Sequence, residues 1–178
     1  MIVDIDYKFR SFRKRDTDTV RSFLTKQDLG YPQYSRWIDE RAIGGLLAET
    51  KHALLVYSNG ELVGDLLFQE HQHLDKIVEI KNMRIHPRLR WRAFGRFMIK
   101  QLEVEATQAG YLALIGDVRE ESRDIISFMI NCGFIPTITL PLYNTSKRDV
   151  TMIKPLNKDF SQESLIKKVE NTIISLAV

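Results

Sequence analysis

Between Glu79 and Glu103 the chain carries no acidic residue, whereas Lys81, Arg84, Arg88, Arg90, Arg92, Arg96 and Lys100 are all cationic. Inside that run stands Ile85-His-Pro-Arg-Leu-Arg-Trp-Arg-Ala-Phe-Gly-Arg-Phe-Met. A strand ends here, a short loop follows, and a helix begins with the amides of its first turn outside its own ladder. Such amides, the positive end of the helix dipole and the neighbouring guanidinium groups suit a phosphate. Ala93 and Gly95 supply the small residues that let backbone approach phosphate oxygens. The charge run by itself fits a phosphorylated cofactor, a nucleic acid or an acidic protein, and equally a solvated helix start with surface arginines. Two other groups carry less. His71-Gln-His73 lacks further ligands at metal spacing and reads as a solvated turn, so no metal is expected. Cys132 ends a helix with no histidine near it in sequence and reads as a small buried residue.

The elements that position these residues follow from pattern. Tyr7 to Phe12 alternates as a strand does, and Asp16 is placed to cap a helix with Val20, Phe23 and Leu24 on one face. A turn at Gly30-Tyr31-Pro32 precedes a helix from Ser35 to Leu47 that presents Trp37, Ile38, Ile43 and Leu47. Two strands flank Asn59-Gly60, the pair that supplies both positive φ angles of a type I′ hairpin turn. A strand from Lys76 to Ile85 stops at His86-Pro87, since proline cannot extend a ladder. The helix from Phe94 to Ala109 carries Phe97, Met98, Leu102 and Ala106 on its stripe and stops at Gly110. A buried strand over Leu112 to Val118 and a helix over Ser122 to Cys132, with Ile125, Ile126, Met129 and Ile130 apolar, come next. Ile135 to Leu140 and Val150 to Lys154 close the domain as a strand pair around a loop at Tyr143 to Lys147.

The order is that of a mixed α/β domain over residues 1–156. An appendix, 157–178, carries a capping box at Asp159 and Gln162 and a stripe of Leu165, Ile166, Val169, Ile173 and Leu176. That stripe covers the domain's own sheet or, failing that, meets a second subunit in a homodimer. The chain has 178 residues, 44% of them hydrophobic and 28% charged, with a net charge of +3, which excludes a disordered polyelectrolyte. One cysteine permits no intrachain disulfide. With no signal-peptide pattern and no apolar stretch of spanning length, a cytoplasmic protein without membrane contact is expected.

Arg90-Trp91-Arg92-Ala93-Phe94-Gly95 resembles the pyrophosphate loop of the GNAT acetyltransferases, Arg/Gln-x-x-Gly-x-Gly/Ala, with alanine in place of the first glycine. His86-Pro87 stands just upstream, as in that family, and Asn59-Gly60-Glu61-Leu62-Val63-Gly64 resembles its second hairpin. Ser122 through Gly133-Phe134 resembles the helix that ends in Gly-Phe before the last strands, so the likeness covers residues 5–155.

The resemblance implies the GNAT fold, a mixed central sheet flanked by helices, and acetyl-CoA bound in a cleft where two parallel central strands diverge. The backbone of Met83, Arg84 and Ile85 would face the pantetheine and thioester. The amides from Arg90 through Arg96, including Trp91, Arg92, Ala93, Phe94 and Gly95, would hold the pyrophosphate. Ser122 stands where many members have an asparagine on the pantetheine arm.

By the same resemblance a primary amine attacks the thioester directly, and a general base takes its proton. Glu79 is the candidate: Ile77, Val78 and Ile80 surround it with apolar strand, where desolvation raises a carboxyl pKa, and it precedes Arg90 by the spacing of one catalytic branch. The alternative is a glutamate paired with Lys81. Members often carry a tyrosine where this chain has Met129, which leaves Tyr143 as the candidate proton donor to the thiolate. Tyr31, Tyr34 and Trp37 fall in the segment that shapes the acceptor side, or belong to the core. The acceptor amine, on a small molecule, peptide, protein or aminoacyl-RNA, stays open. A different class also stays open: a non-catalytic CoA-binding, nucleic-acid-binding or partner-binding module that uses Arg84 to Arg96, with Trp91 for stacking.

Overall fold

The computed structural model describes residues 7–26, 33–90, 93–143, 146–157 and 161–177. In chain order the elements are β1 (Tyr7–Ser11), α1 (Thr17–Thr25), α2 (34–47), β2 (His52–Ser58), β3 (Glu61–Glu70) and β4 (Ile77–Ile85). Then follow α3 (Phe94–Gln108), β5 (Ala113–Arg119), α4 (Arg123–Asn131), β6 (Ile135–Leu140), β7 (Asp149–Pro155) and α5 (Gln162–Ala177). The strands form a seven-stranded mixed sheet in the order β1-β2-β3-β4-β5-β7-β6. The mixed α/β architecture expected from the pattern is the one observed. Two compact units make up the chain: Met1–Gln69 with Asn82–Met98, and Glu70–Lys81 with Ile99–Val178. Both β4 and α3 contribute residues to each.

In the first unit β1 and β3 flank β2, all antiparallel. The hairpin turn is as its sequence requires: Asn59 has φ 49° and Gly60 φ 83°, and Ser58 lies opposite Glu61. Ala53, Leu54, Leu55 and Val56 are buried in succession, without alternation, because both faces of β2 are covered. The cover on one face includes Val20 and Leu24 of α1 and Ile38, Ala42, Ile43 and Leu46 of α2.

Helix α2 is irregular. Its bonds over Trp37–Ile43 run five residues back, as in Gly44 N–H to Asp39 O. The wider turns rotate the stripe, so Leu47, expected on the buried face, ends 41% exposed. The turn at Gly30-Tyr31-Pro32 lies outside the described residues.

In the second unit β5 is central. It runs parallel to β4 over Ile77↔Ala113 to Ile80↔Gly116 and antiparallel to β7 over its full length. The β4–β5 ladder ends at Ile80 and Gly116, whereas β4 continues to Ile85 and β5 to Arg119. Helix α5 lays Leu165, Val169 and Ile173 over Ile77, Ala113, Ile115 and Ile153, so its stripe covers the sheet of its own unit. Leu176, also expected on that stripe, is 50% exposed. Asp159 lies outside the described residues; the cap bond at this end is from Ser164 N–H to Ser161 Oγ at 3.3 Å.

Two helix stripes are narrower than their sequences suggest. Of the apolar residues of α4 Met129 is buried, while Ile125 and Ile130 are exposed. In α3 Phe97 is 61% exposed although Phe94, Met98, Leu102 and Ala106 are buried. A helix one layer deep needs only one narrow seam, and period alone does not say which flank of a stripe faces the sheet. Helix α4 ends as read, with Gly133 at φ 88° and Phe134 buried behind it. Among the described residues no helix is long and apolar enough to cross a membrane.

Candidate functional site

The first unit holds the strand-to-helix loop. Beyond Ile85 the His86 N–H donates to Val63 O at 2.7 Å, tying the loop to β3. Pro87–Leu89 forms one tight turn, and the His86 side chain accepts from Arg88 N–H at 3.3 Å. Arg90 folds back, its Nε donating to Ile85 O at 3.4 Å. Trp91 and Arg92 lie outside the described residues.

Ala93 then adopts φ 62°, the left-handed region, and its carbonyl accepts the first helical bond from Phe97 N–H at 3.0 Å. A glycine takes this conformation without cost, which gives the family's glycine at this position its physical reason. Phe94 is buried against Tyr7, with ring centroids 4.6 Å apart, and stacks on Phe9. Those contacts fix the direction of the first turn of α3, whose amides by helix geometry have no acceptor within the helix. Arg88, Arg90 and Arg96 are exposed around this turn. The small residues, the free end of the helix ladder and the exposed cations fit a pyrophosphate.

Three other cations of the run, Arg84, Lys81 and Lys100, are engaged within the protein. Arg84 is 7% exposed; its Nε donates to Asn82 Oδ1 at 2.9 Å, another guanidinium N–H reaches Leu24 O, and the group lies 4.8 Å from the Tyr34 ring centroid. Lys81 pairs with Glu79 at 2.8 Å and Lys100 with Glu103 at 3.2 Å. The local positive field is therefore smaller than the residue types suggest. Tyr34 is core, with its hydroxyl donating to Leu24 O, and Trp37 stacks on it half-buried; Tyr31 lies outside the described residues.

Asp65 on β3 is fully buried. Asn82 Nδ2 donates to its Oδ2 at 2.6 Å, while Oδ1 has no hydrogen-bond partner. Burial pushes this carboxyl up to about 7, against the opposing Asn82 bond and the charge of Arg84. Neither Asp65 nor Asn82 figured among the residues expected from sequence. A lone acid between Val63 and Leu66 in a strand of apolar neighbours is the signal that points to it.

The second unit holds the candidates for chemistry. Glu79 faces along β4 with its carboxylate on Lys81, the pairing weighed as the alternative to a free base. On β5, one residue past the end of the parallel ladder, Asp117 accepts the Thr151 hydroxyl at 3.0 Å and the Tyr143 hydroxyl at 3.2 Å. Burial pushes the Asp117 carboxyl up, and the Thr151 bond opposes it. Burial and then the Asp117 charge push the Tyr143 phenol up as well. Arg119 spans from Asp149, at 2.9 Å, to the Tyr143 ring, 5.9 Å to its centroid. Asp117 and Thr151 were not anticipated; again a single acid in an apolar strand, Leu114-Ile-Gly-Asp-Val, marks the place.

Ser122 sits at the N-cap position of α4 without a side-chain cap bond, and its N–H closes a turn onto Arg119 O at 2.9 Å. His71 is buried rather than solvated as the sequence suggested, and burial lowers its pKa. Its Nδ1 accepts from His73 N–H at 3.1 Å, so a neutral ring carries its proton on Nε2. The rings of His71 and His73 stand 6.1 Å apart, and among the described residues no group of three or more His, Cys, Asp or Glu is arranged to hold a metal. Cys132 is buried at the end of α4, where its carbonyl accepts from Lys154 Nζ at 2.6 Å.

Comparison with known proteins gives the family and the fold. Residues 15–134 match the family model described as acetyltransferase (GNAT) family. A search among curated proteins finds no match. Among solved structures, the ribosomal-protein-S18-alanine N-acetyltransferase from Escherichia coli superposes with a TM-score of 0.69 at 14% identity, covering 88% of this chain and 99% of that one. An N-acetyltransferase from Staphylococcus aureus gives a TM-score of 0.71 at 16% identity over 85% and 99% of the two chains. The structure of yncA from Salmonella typhimurium, assigned as an acetyltransferase and solved with its cofactor acetyl-CoA, gives 0.69 at 18% over 87% and 96%.

Proposed function

Because this chain belongs to the GNAT acetyltransferase family, we propose that it transfers the acetyl group of acetyl-CoA to a primary amine by direct attack on the thioester. The observation that carries this reading is the loop at the start of α3. Ala93 holds φ 62°, Phe94 is anchored by Tyr7, and the helix opens among the exposed Arg88, Arg90 and Arg96. In this reading the amides from Arg90 through Arg96, Trp91 and Arg92 included, take the pyrophosphate. The backbone of Met83, Arg84 and Ile85 takes the pantetheine, with Ser122 as a further contact to that arm.

Glu79 is proposed as the base. Lys81 holds and orients its carboxylate at 2.8 Å. The amine nitrogen bonds to the carbonyl carbon, the carbon–sulfur bond breaks, one N–H proton passes to Glu79, and the thiolate takes a proton from Tyr143 or from water. The acceptor class, a small amine or the amine of a peptide, protein or aminoacyl-RNA, follows from no residue on its own. A cytoplasmic location and a 1–156 catalytic domain with a 157–178 appendix complete the proposal.

Thiol release from acetyl-CoA over an amine panel tests it. Gly95→Glu should abolish CoA binding by placing a carboxylate among the phosphate-facing amides. Glu79→Gln should keep that binding and lower turnover by about a hundredfold or more. Undiminished CoA binding by Gly95→Glu would remove the loop assignment; unchanged turnover by Glu79→Gln would move the base elsewhere. Tight oligonucleotide binding that weakens steeply with salt, in a protein that does not bind CoA, would favour a nucleic-acid module instead.

A further inference from the structure

Asp117 meets a hydroxyl at each carboxylate oxygen: Thr151 Oγ1 donates to Oδ1 at 3.0 Å and Tyr143 Oη to Oδ2 at 3.2 Å. Both hydroxyls donate to Asp117, so the single proton of the Tyr143 hydroxyl lies on the Asp117 side of its oxygen. The remaining lone pairs of that oxygen point away from Asp117. Leu142 and Tyr143 are held by the same strands. Asp149 of β7 accepts from the Leu142 N–H and pairs with Arg119, which lies beside the Tyr143 ring and reaches Lys147 O at 3.5 Å. Glu79 adds negative charge near the phenol, which further disfavours loss of its proton. Half of the Tyr143 side chain remains exposed. Strands β5 and β7 thus build a fixed, outward-facing hydrogen-bond acceptor from a residue that is by nature both donor and acceptor.

Resting on the transfer reading above, we infer that Asp117 is a positioning residue that commits the Tyr143 proton inward, so that Tyr143 accepts an N–H of the incoming primary amine and does not protonate the leaving thiolate. The thiolate then takes its proton from water, and the amine's own proton passes to Glu79. Tyr143 becomes an acceptor-orienting residue, and its loss should appear in the amine's KM.

The test uses the full chain with saturating acetyl-CoA and three probe amines: benzylamine, spermidine and an alanine-led tripeptide. Tyr143→Phe should raise the amine KM about three- to tenfold, the worth of one hydrogen bond, with kcat within about twofold. In Asp117→Asn an amide N–H donates to the phenol oxygen and turns the tyrosine proton outward. That variant should raise KM at least as much as Tyr143→Phe. A fall in kcat at unchanged KM for Tyr143→Phe would make the tyrosine the thiolate's acid and overturn the inference.

A second measurement does not depend on turnover. With tyrosine labelled by carbon-13 at Cζ, the resonance missing from Tyr143→Phe should move in Asp117→Asn and on titration with benzylamine. A resonance that stays in place in both overturns the inference. If no probe amine is acetylated, the transfer reading fails, and the resonance alone then decides whether Tyr143 receives an amine.

Discussion

Replacing Asp65 by Asn should change the pH dependence of stability more than its midpoint at any one pH. The wild-type carboxyl is fully buried, with one oxygen on Asn82 and the other without a partner. Its pKa rises from 3.8 in the unfolded chain to about 7. The folded state therefore keeps a proton that the unfolded chain has already released. The contribution of Asp65 to stability is greatest below pH 3.8, falls as pH rises, and levels off above about 7. A shift of that size corresponds to roughly 4 kcal/mol, and relaxation around Arg84 and Asn82 brings the expected loss to about 2–4 kcal/mol.

Asn has nearly the shape of the protonated acid, and its carbonyl can accept from Asn82 Nδ2 as before. The acid leaves one hydrogen without an acceptor and the amide two, but by pH 4.5 the acid has already lost about 1 kcal/mol, so the two proteins should be similar there. At pH 8 Asp65→Asn should be the more stable by about 2–4 kcal/mol. Urea unfolding followed by circular dichroism, at half-unit steps from pH 4.5 to 8, reads both curves. Parallel curves would show that Asp65 is ionised in the folded state at all these pH values and would refute the reasoning.

Other outcomes follow from the same structure. Asp16 accepts from Arg10 at 2.6 and 2.7 Å and from Arg13 N–H, which holds its carboxyl down at about 2. This stabilisation is present above pH 3.8 and lost as pH falls through about 2; Arg10→Gln should therefore cost on the order of 2 kcal/mol at pH 6 and little at pH 2 in urea unfolding. Ala93→Gly should stabilise the chain by up to about 1 kcal/mol, since left-handed backbone strain outweighs the added freedom of the unfolded glycine, and should preserve CoA binding. A loss of stability in that variant's thermal melt would remove the strain argument.

Much of the chain was legible without coordinates, and for local reasons. Asn59-Gly60 dictates its own turn because few residues tolerate two positive φ angles. Gly133-Phe134 ends α4, and His86-Pro87 ends β4, by rules that involve only near neighbours. The strand-to-helix loop belongs to the same class: a strand end, small residues and a helix start are contiguous in sequence. The stripe of α5 announced that it must be buried, though not against what.

What only the tertiary structure decided concerns the charged groups. Asp16 sits at the start of α1, where sequence reads a helix cap, yet Arg10 from β1 takes its carboxylate because the two elements fold side by side. Arg84 counts as one more cation along the run, but its guanidinium is buried on Leu24 and Tyr34, far along the chain. Asp117 acquires its partners, Thr151 and Tyr143, from thirty-four and twenty-six positions away, with Thr151 set opposite it by the antiparallel register of β5 and β7. A propensity or a turn is set by the residue and its neighbours. The state and direction of a buried carboxyl are set by whichever distant donors the packing brings within about 3 Å, because in a low-dielectric interior one such bond outweighs every local preference.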